Sequence, residues 1–145
     1  MKLLTTNFIK CSVKACESSN KSFPLKYNNQ CQLELNYEED DEIIQSSYEF
    51  LIGILDKIEW DALLKVCQDL GNNDLPPTKP IINEDVANLN DNEKLILKQL
   101  FNLLINTEIV EGSMQCESCE HIYQVKNGIP NLLLPPHLSL SLIHI

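Results

Sequence analysis

Two pairs of cysteines stand near opposite ends of this chain. Four residues separate Cys11 from Cys16, and two residues separate Cys116 from Cys119. Zinc sites use both spacings, and four thiolates bind one ion in a tetrahedral arrangement. The sequence therefore predicts one structural zinc ion with these four cysteines as its ligands. Such a site would hold the two ends of the chain together.

The long segment between the two pairs does not argue against a shared site. The cost of loop closure rises by only about 0.6 kcal/mol for each doubling of loop length. Structural zinc contributes roughly 10–16 kcal/mol to the folding of small peptides. The metal therefore outweighs the longer loop, and a folded insertion between Cys16 and Cys116 reduces the cost further.

The remaining cysteines and histidines are interpreted as structural. A catalytic zinc normally keeps an open position beside three protein ligands, whereas four cysteines close the site. We interpret Cys31 and Cys67 as structural thiols and His121 as a strand side chain, although Cys31 and His121 remain alternative ligands. A redox Cys-x-x-Cys sits at a strand-to-helix junction, whereas Cys116 and Cys119 lie between predicted strands. A thiol redox enzyme is therefore the weakest interpretation.

The chain offers no other catalytic constellation. It has no glycine-rich phosphate loop, and its three histidines all lie near the C-terminus. Paired carboxylates are abundant only in the acidic run of residues 38–42. The sequence therefore predicts a protein that is not an enzyme, with no catalytic residues.

Composition narrows the classes of partner. The 145 residues carry a formal net charge of −10, with 21 acidic residues against 11 basic ones, all of them lysine. Nucleic-acid binding depends on neutralising phosphates with lysine and arginine, so a free-standing nucleic-acid binder is disfavoured. The chain has no run of about 18 apolar residues, so no transmembrane helix is predicted. The N-terminus also lacks the features of a secretion signal. We expect an intracellular chain with reduced thiols.

Hydrophobic periodicity predicts an α+β fold in three regions. Residues 1–36 and 109–138 are expected to form a zinc-binding domain with a small antiparallel sheet, and residues 37–108 an inserted helical domain. In the insertion, the acidic run is predicted as a solvated loop that leads into a helix, Ser47 as a helix N-cap and Gly71 as a helix stop. The later signals are a stiff connector at 75–80, a capping box from Asn90 to Glu93, a strand at 121–125 and an Asn127-Gly128 turn.

Three segments carry a resemblance to a known family. They are Met1-Lys2-Leu3-Leu4-Thr5-Thr6-Asn7-Phe8 with the first cysteine pair, Leu75-Pro76-Pro77-Thr78-Lys79-Pro80, and Gly128-Ile129-Pro130-Asn131-Leu132-Leu133-Leu134-Pro135-Pro136-His137 after the second pair. The chain to about His137 resembles the eukaryotic multifunctional methyltransferase subunits. Residues 139–145 have no counterpart in that family and form a tail of uncertain origin.

The resemblance implies a non-catalytic activating and stabilising subunit. Members form heterodimers with S-adenosylmethionine-dependent class I methyltransferases, and the partner holds the methyl donor. The implied partners modify a tRNA wobble uridine, a tRNA guanosine, an rRNA guanosine and the glutamine of a translation termination factor. Contact with RNA would be indirect, and the expected location is cytoplasmic and nuclear. The alternative is an autonomous zinc-ribbon RNA-binding translation factor.

An apolar run after the turn suits such an interface. Prolines lack an N–H donor and are tolerated at sheet edges, and an exposed apolar edge strand needs a cover. A partner sheet could supply that cover by adding a strand; alternatively, the run packs on the helical insertion. The predicted interface residues are Phe8, Ile9, Ile129, Pro130, Asn131, Leu132 and Leu133.

Overall fold

Strands from both ends of the chain form one antiparallel sheet in the computed structural model, which describes residues 1–16 and 19–134. The long third strand is central, because it pairs with the first, the second and the fourth. The fifth strand pairs with the fourth and lies at the edge of the sheet. The strands are β1 (Lys26–Tyr27), β2 (Gln32–Leu35), β3 (Thr107–Gln115), β4 (Ile122–Lys126) and β5 (Ile129–Pro130).

Four α-helices lie between β2 and β3, so the predicted α+β class is confirmed. The last helix begins with the predicted capping box: Asn90 Oδ1 accepts from the Glu93 N–H at 2.8 Å, and Glu93 Oε1 accepts from the Asn90 N–H at 3.2 Å. Gly71 follows the third helix with a φ of 87°, as a C-terminal stop requires. The helices are α1 (Asp41–Gln45), α2 (Tyr48–Lys57), α3 (Trp60–Asp69) and α4 (Asp91–Leu104).

The acidic run leads into a helix, as predicted, but that helix begins within the run at Asp41, earlier than the predicted N-cap at Ser47. The side chain of Asp40 accepts a hydrogen bond from the Glu42 N–H and caps α1. Asp41 and Glu42 occupy the first turn, where carboxylates interact favourably with the helix dipole. Ser47 does precede α2, but its side chain makes no capping hydrogen bond.

The proline-containing connector is non-helical, as predicted, and it is fastened to the helices. The indole N–H of Trp60 donates to the carbonyl of Pro76 at 2.9 Å. Trp60 is buried, as is Cys67 in the same helix, which agrees with the interpretation of Cys67 as a structural thiol. The connector therefore packs beside the start of α3.

The main hydrophobic core crosses the boundary between the two chain ends and the insertion. It joins Tyr123 and Met114 of the sheet to Leu63 of α3 and Leu104 of α4. A smaller cluster, around Leu51 and Leu97, lies within the helices. Among the described residues, no helix has the length and apolar character needed to span a bilayer.

The first residue is built into the sheet. The main-chain N–H of Ile109 donates to the Met1 carbonyl at 2.7 Å, and the Met1 amine donates to the carbonyls of Ile109 and Gly128. A short 3-10 helix, Leu3–Asn7, follows. The side-chain amide of Asn7 exchanges two hydrogen bonds with the main chain of Glu59, between α2 and α3. The N-terminal segment is therefore fixed to both the sheet and the helices.

Candidate metal centre and exposed sheet edge

The structure brings the two cysteine pairs together. The sulfurs of the cluster all lie within 4.8 Å of one another, with 3.6 Å from Cys11 to Cys119 and 3.9 Å from Cys16 to Cys116. Zn–S bonds of about 2.3 Å in a tetrahedron put the sulfurs about 3.8 Å apart. The spacing and the donor type fit a zinc ion, so this four-cysteine cluster could bind a metal.

Two tight turns position the sulfurs. A short 3-10 helix, Lys14–Cys16, carries the second cysteine of the N-terminal pair, with the Cys16 N–H donating to the Val13 carbonyl at 2.9 Å. The second pair lies in the turn between β3 and β4, where main-chain bonds link Cys116 to both Glu120 and His121. Glu120 closes this turn with a φ of 65°, a conformation that costs a non-glycine residue energy.

Main-chain amides of the second turn point at one sulfur. Cys116 Sγ accepts from the Ser118 N–H at 3.3 Å and from the Cys119 N–H at 3.5 Å. Burial acts to raise the pKa of Cys116, but these donors and the neighbouring thiols outweigh it, so the pKa is lowered. Burial raises the pKa of Cys11 and of Cys16. A bound cation would supply the positive charge that four thiolates need.

Tyr123 also contacts the cluster, which the sequence analysis missed. Its hydroxyl lies 3.1 Å from Cys11 Sγ and accepts a hydrogen bond from the Ser12 N–H at 3.0 Å. Burial raises the pKa of Tyr123 to about 12, so the side chain is a neutral phenol at neutral pH. The signal in the sequence was the alternation of the predicted strand, which places the Tyr123 side chain on the inner face of the sheet.

The other candidate ligands lie outside the cluster. The His121 ring packs edge-on against Tyr123, with ring centroids 4.6 Å apart. Cys67 is buried in α3, and burial raises its pKa to about 11, which makes it an unreactive thiol. Cys31 is half-buried against Gly112 of β3, and its thiol donates to the Ser113 carbonyl at 3.7 Å.

The apolar run after β4 divides into buried and exposed side chains. Leu132 and Leu134 pack against the main core, whereas Ile129 is 69% exposed and Leu133 is 84% exposed. The N–H of Asn131, itself exposed, donates to the Gln124 carbonyl at 2.8 Å and extends the pairing of β5 with β4. The run therefore packs on the core with one set of side chains and leaves another set at the sheet edge.

The two predicted interface residues near the N-terminus have different environments. Phe8 is 57% exposed, which leaves most of its ring available to a partner. Ile9 is only 8% exposed and belongs to the main core. Ile9 therefore lies beneath the surface of the isolated chain, and its role in an interface stays a prediction. Residues 135–145, including the tail at 139–145, lie outside the described residues.

Comparison with known proteins decides the family. The family model described as Trm112p-like protein matches residues 2–128. The chain belongs to this family. The Multifunctional methyltransferase subunit TRM112 of Saccharomyces cerevisiae is 54% identical over 95% of this chain and 99% of that protein. Its counterpart in Schizosaccharomyces pombe is 43% identical over 92% and 96%.

A more distant likeness is to a solved structure, the E. cuniculi Mtq2-Trm112 complex responsible for the methylation of the eRF1 translation termination factor. It covers 92% of this chain and 95% of that chain, at 20% identity and a TM-score of 0.42. The family assignment rests on the sequence relatives, and it confirms the predicted family. Both relatives bear the name of a multifunctional methyltransferase subunit.

Proposed function

We propose that this chain activates and stabilises several S-adenosylmethionine-dependent class I methyltransferases by binding each of them as a heterodimer. The methyl donor and the catalytic groups belong to the partner. The proposed partners are the methyltransferases of a tRNA wobble uridine, a tRNA guanosine, an rRNA guanosine and a termination-factor glutamine. We place the heterodimers in the cytoplasm and the nucleus, where those substrates are made and used.

The four-cysteine cluster serves this function as a structural zinc site. Cys11, Cys16, Cys116 and Cys119 would hold the ion, and the ion would supply only a fixed tetrahedral junction between the chain ends. All four positions of the tetrahedron are filled by protein thiolates, which leaves none for a substrate. RNA would contact the heterodimer mainly through the partner, because the net charge of −10 repels phosphates.

One observation carries the docking proposal: the exposed apolar edge at β5. An edge strand with exposed Ile129 and Leu133 is an aggregation hazard unless another chain covers it. Among the described residues, β5 pairs with β4 alone. A partner strand added beside β5 would satisfy the open main-chain groups and bury both side chains.

The N-terminal segment is fastened at two points, one at each end of β4. Met1 donates to the carbonyl of Gly128, the residue before β5. Cys11, three residues after Phe8, lies 3.6 Å from Cys119, which precedes β4. Phe8 therefore belongs to a segment that is tied to the β4–β5 turn at one end and to the β3–β4 turn at the other. We propose that Phe8 and the 129–133 edge form one docking face.

Affinity purification of the tagged chain, with mass spectrometry of the captured proteins, tests the proposal. We expect the wild-type chain to capture methyltransferases and, in co-expression, to make each of them soluble. Ile129→Asp should reduce the captured amount by at least about tenfold, because a buried charge without a partner costs several kcal/mol. The metal content and the thermal stability of the isolated variant should match the wild type.

Two matched controls separate docking from general surface effects. Ile81→Asp makes the same exchange at a side chain that is 96% exposed outside the proposed face, and it should leave capture intact. Phe8→Ala should weaken capture, whereas Phe50→Ala, at a ring that is 54% exposed on α2, should not. Equal losses for the members of a pair would reject the docking face.

The same preparation tests the alternative function. An autonomous RNA-binding translation factor requires micromolar affinity of the isolated chain for RNA, with a steep dependence on salt. We expect no such binding even at low salt. Tight, salt-dependent RNA binding together with no captured methyltransferase would favour that alternative.

A further inference from the structure

The hydroxyl of Tyr123 lies between the cysteine cluster and the segment that carries its first ligand. It is 3.1 Å from Cys11 Sγ and 3.0 Å from the main-chain nitrogen of Ser12. Tyr123 is 1% exposed and Cys11 is 3% exposed, so water does not compete for these bonds. The hydroxyl oxygen of Tyr123 therefore contacts two successive residues of the N-terminal segment, Cys11 and Ser12.

The chemistry of the three groups fixes the direction of both hydrogen bonds. The Ser12 amide can only donate, so the phenol oxygen accepts from it. A thiolate that ligates a metal can only accept. The hydroxyl proton of Tyr123 therefore points at Cys11 Sγ.

The sheet delivers this donor from a rigid element. Tyr123 stands opposite Met114 of β3, in register with Tyr27 of β1 on the other side of the same strand. The His121 ring packs against the Tyr123 ring at an interplanar angle of 83° and restricts it further. The hydroxyl thus holds a defined position relative to the cluster.

The two cysteine pairs obtain their donors in different ways. Cys116 receives two amide N–H groups from its own turn, those of Ser118 and Cys119. Cys11 receives the phenol from a distant part of the chain, in addition to an amide contact from Val13. Four thiolates around a divalent ion carry a net charge of −2, and buried charge of this kind is stabilised by hydrogen-bond donors in the surrounding shell.

We propose that Tyr123 is a positioning residue for the metal centre: its hydroxyl, oriented by the Ser12 amide, donates to the Cys11 thiolate and holds that ligand on the ion. This inference rests on the proposed zinc site. In this arrangement the Tyr123 side chain links strand β4 to the N-terminal cysteine pair. Loss of the hydroxyl should therefore release the Cys11 side of the site first.

Tyr123→Phe removes the hydroxyl and keeps the ring. Hydrogen-bonded partners around metal ligands are worth about 10- to 100-fold in metal affinity. We expect zinc transfer from the full-length variant to the chelator 4-(2-pyridylazo)resorcinol to be faster than in the wild type by a factor in that range. In the cobalt-loaded variant, the sulfur-to-metal charge-transfer band should move to longer wavelength, because a thiolate without its donor is more easily oxidised.

Tyr27→Phe is the matched control. Tyr27 is equally buried and flanks the same Met114, and its hydroxyl has no hydrogen-bond partner among the described residues. Its loss should change neither zinc transfer nor the cobalt spectrum. Equal acceleration in both phenylalanine variants would show a general packing effect and overturn the inference, as would unchanged transfer and spectrum in Tyr123→Phe.

A measurement on the wild-type chain covers the case in which Tyr123→Phe does not fold. In protein loaded with ¹¹³Cd, the hydroxyl proton of Tyr123 should give a resolved signal coupled to the metal through Cys11 Sγ. A hydroxyl that exchanges with water too fast to be observed would contradict the buried donor. A wild-type chain that binds no metal at all would instead reject the proposed zinc site.

Discussion

The two ends of strand β4 have opposite characters. Before β4 lies the turn with Cys116 and Cys119, whose sulfurs converge with those of the N-terminal pair. After β4, the Asn127-Gly128 turn leads to β5, where Ile129 is 69% exposed. One end of this strand is closed by contacts within the chain, and the other leads to apolar side chains that are exposed to solvent.

This difference separates folding from partner binding within one small sheet. The cluster joins distant parts of the chain, so its integrity should determine whether the sheet forms at all. The edge at β5 contributes little to the isolated fold, because its exposed side chains have few contacts to lose. A change at the first end should therefore act on stability, and a change at the second end on capture of a methyltransferase.

The largest expected effect comes from Cys116→Ser, which removes a ligand that is fully buried. Structural zinc contributes about 10–16 kcal/mol in small peptides, and a whole domain is typically stable by only about 5–15 kcal/mol. We expect the variant to lose its zinc, to unfold its sheet and to lose methyltransferase capture. Metal analysis by mass spectrometry, thermal unfolding and co-purification measure the three consequences.

Cys31→Ser is the control for that loss, because it changes a half-buried cysteine outside the cluster. It should retain one zinc ion and bind the methyltransferase. A Cys116→Ser chain that is free of metal but still folds and activates its partner would break the comparison, since the edge at β5 would then not depend on the cluster.

Sequence reasoning succeeded where the signal was local or chemically specific. The capping box at Asn90, the left-handed turn at Asn127-Gly128 and the stop at Gly71 are each set by a few neighbouring residues, and the structure has all three. The convergence of the four sulfurs was anticipated from cysteine spacing alone. The zinc ion itself stays a prediction.

The missed features depend on contacts between distant segments. Periodicity places Tyr123 on the inner face of β4 but does not show that its hydroxyl meets Cys11. The burial of Ile9 likewise depends on how the N-terminal segment lies against the core. The start of α1 within the acidic run was missed for a different reason: the helix after the run was expected to begin at a Ser47 cap, and the local cap at Asp40 was overlooked.

A moderate effect is expected at the turn between β4 and β5. Gly128 has a φ of 74°, and a Cβ built there would lie 3.1 Å from the Met1 nitrogen. Gly128→Ala should lower the free energy of unfolding by about 1–2 kcal/mol because the left-handed conformation disfavours a side chain. It should also weaken methyltransferase capture, since the turn sets the position of the edge strand.

Gly53→Ala makes the same substitution in the interior of α2, where no atom beyond the local helix backbone lies within 4 Å of the new Cβ. Alanine is the better helix former by roughly 1 kcal/mol, so this control should gain stability. Both variants are compared by denaturant unfolding of the zinc-loaded chain. Equal effects of the two substitutions would mean that the backbone at the β4–β5 turn is not constrained as the structure indicates.

The smallest expected effect lies at the other end of β4, and it has the opposite sign. Glu120 has a φ of 65° in the turn that presents Cys119, and glycine adopts this conformation without the cost of a side chain. Glu120→Gly should therefore raise the stability of the zinc-loaded chain by up to about 1 kcal/mol.

The control for Glu120→Gly is Glu120→Ala, which removes the same carboxylate but keeps a Cβ and so should give no comparable gain. Denaturant midpoints of the two zinc-loaded variants measure the difference. If glycine and alanine are equivalent here, the strain at Glu120 is absent. If the glycine variant is less stable than the alanine variant, the extra freedom that glycine gives the unfolded chain outweighs the relief of strain in the turn. The gain expected for glycine should leave methyltransferase capture unchanged, because the β3–β4 turn lies at the opposite end of β4 from the proposed docking edge.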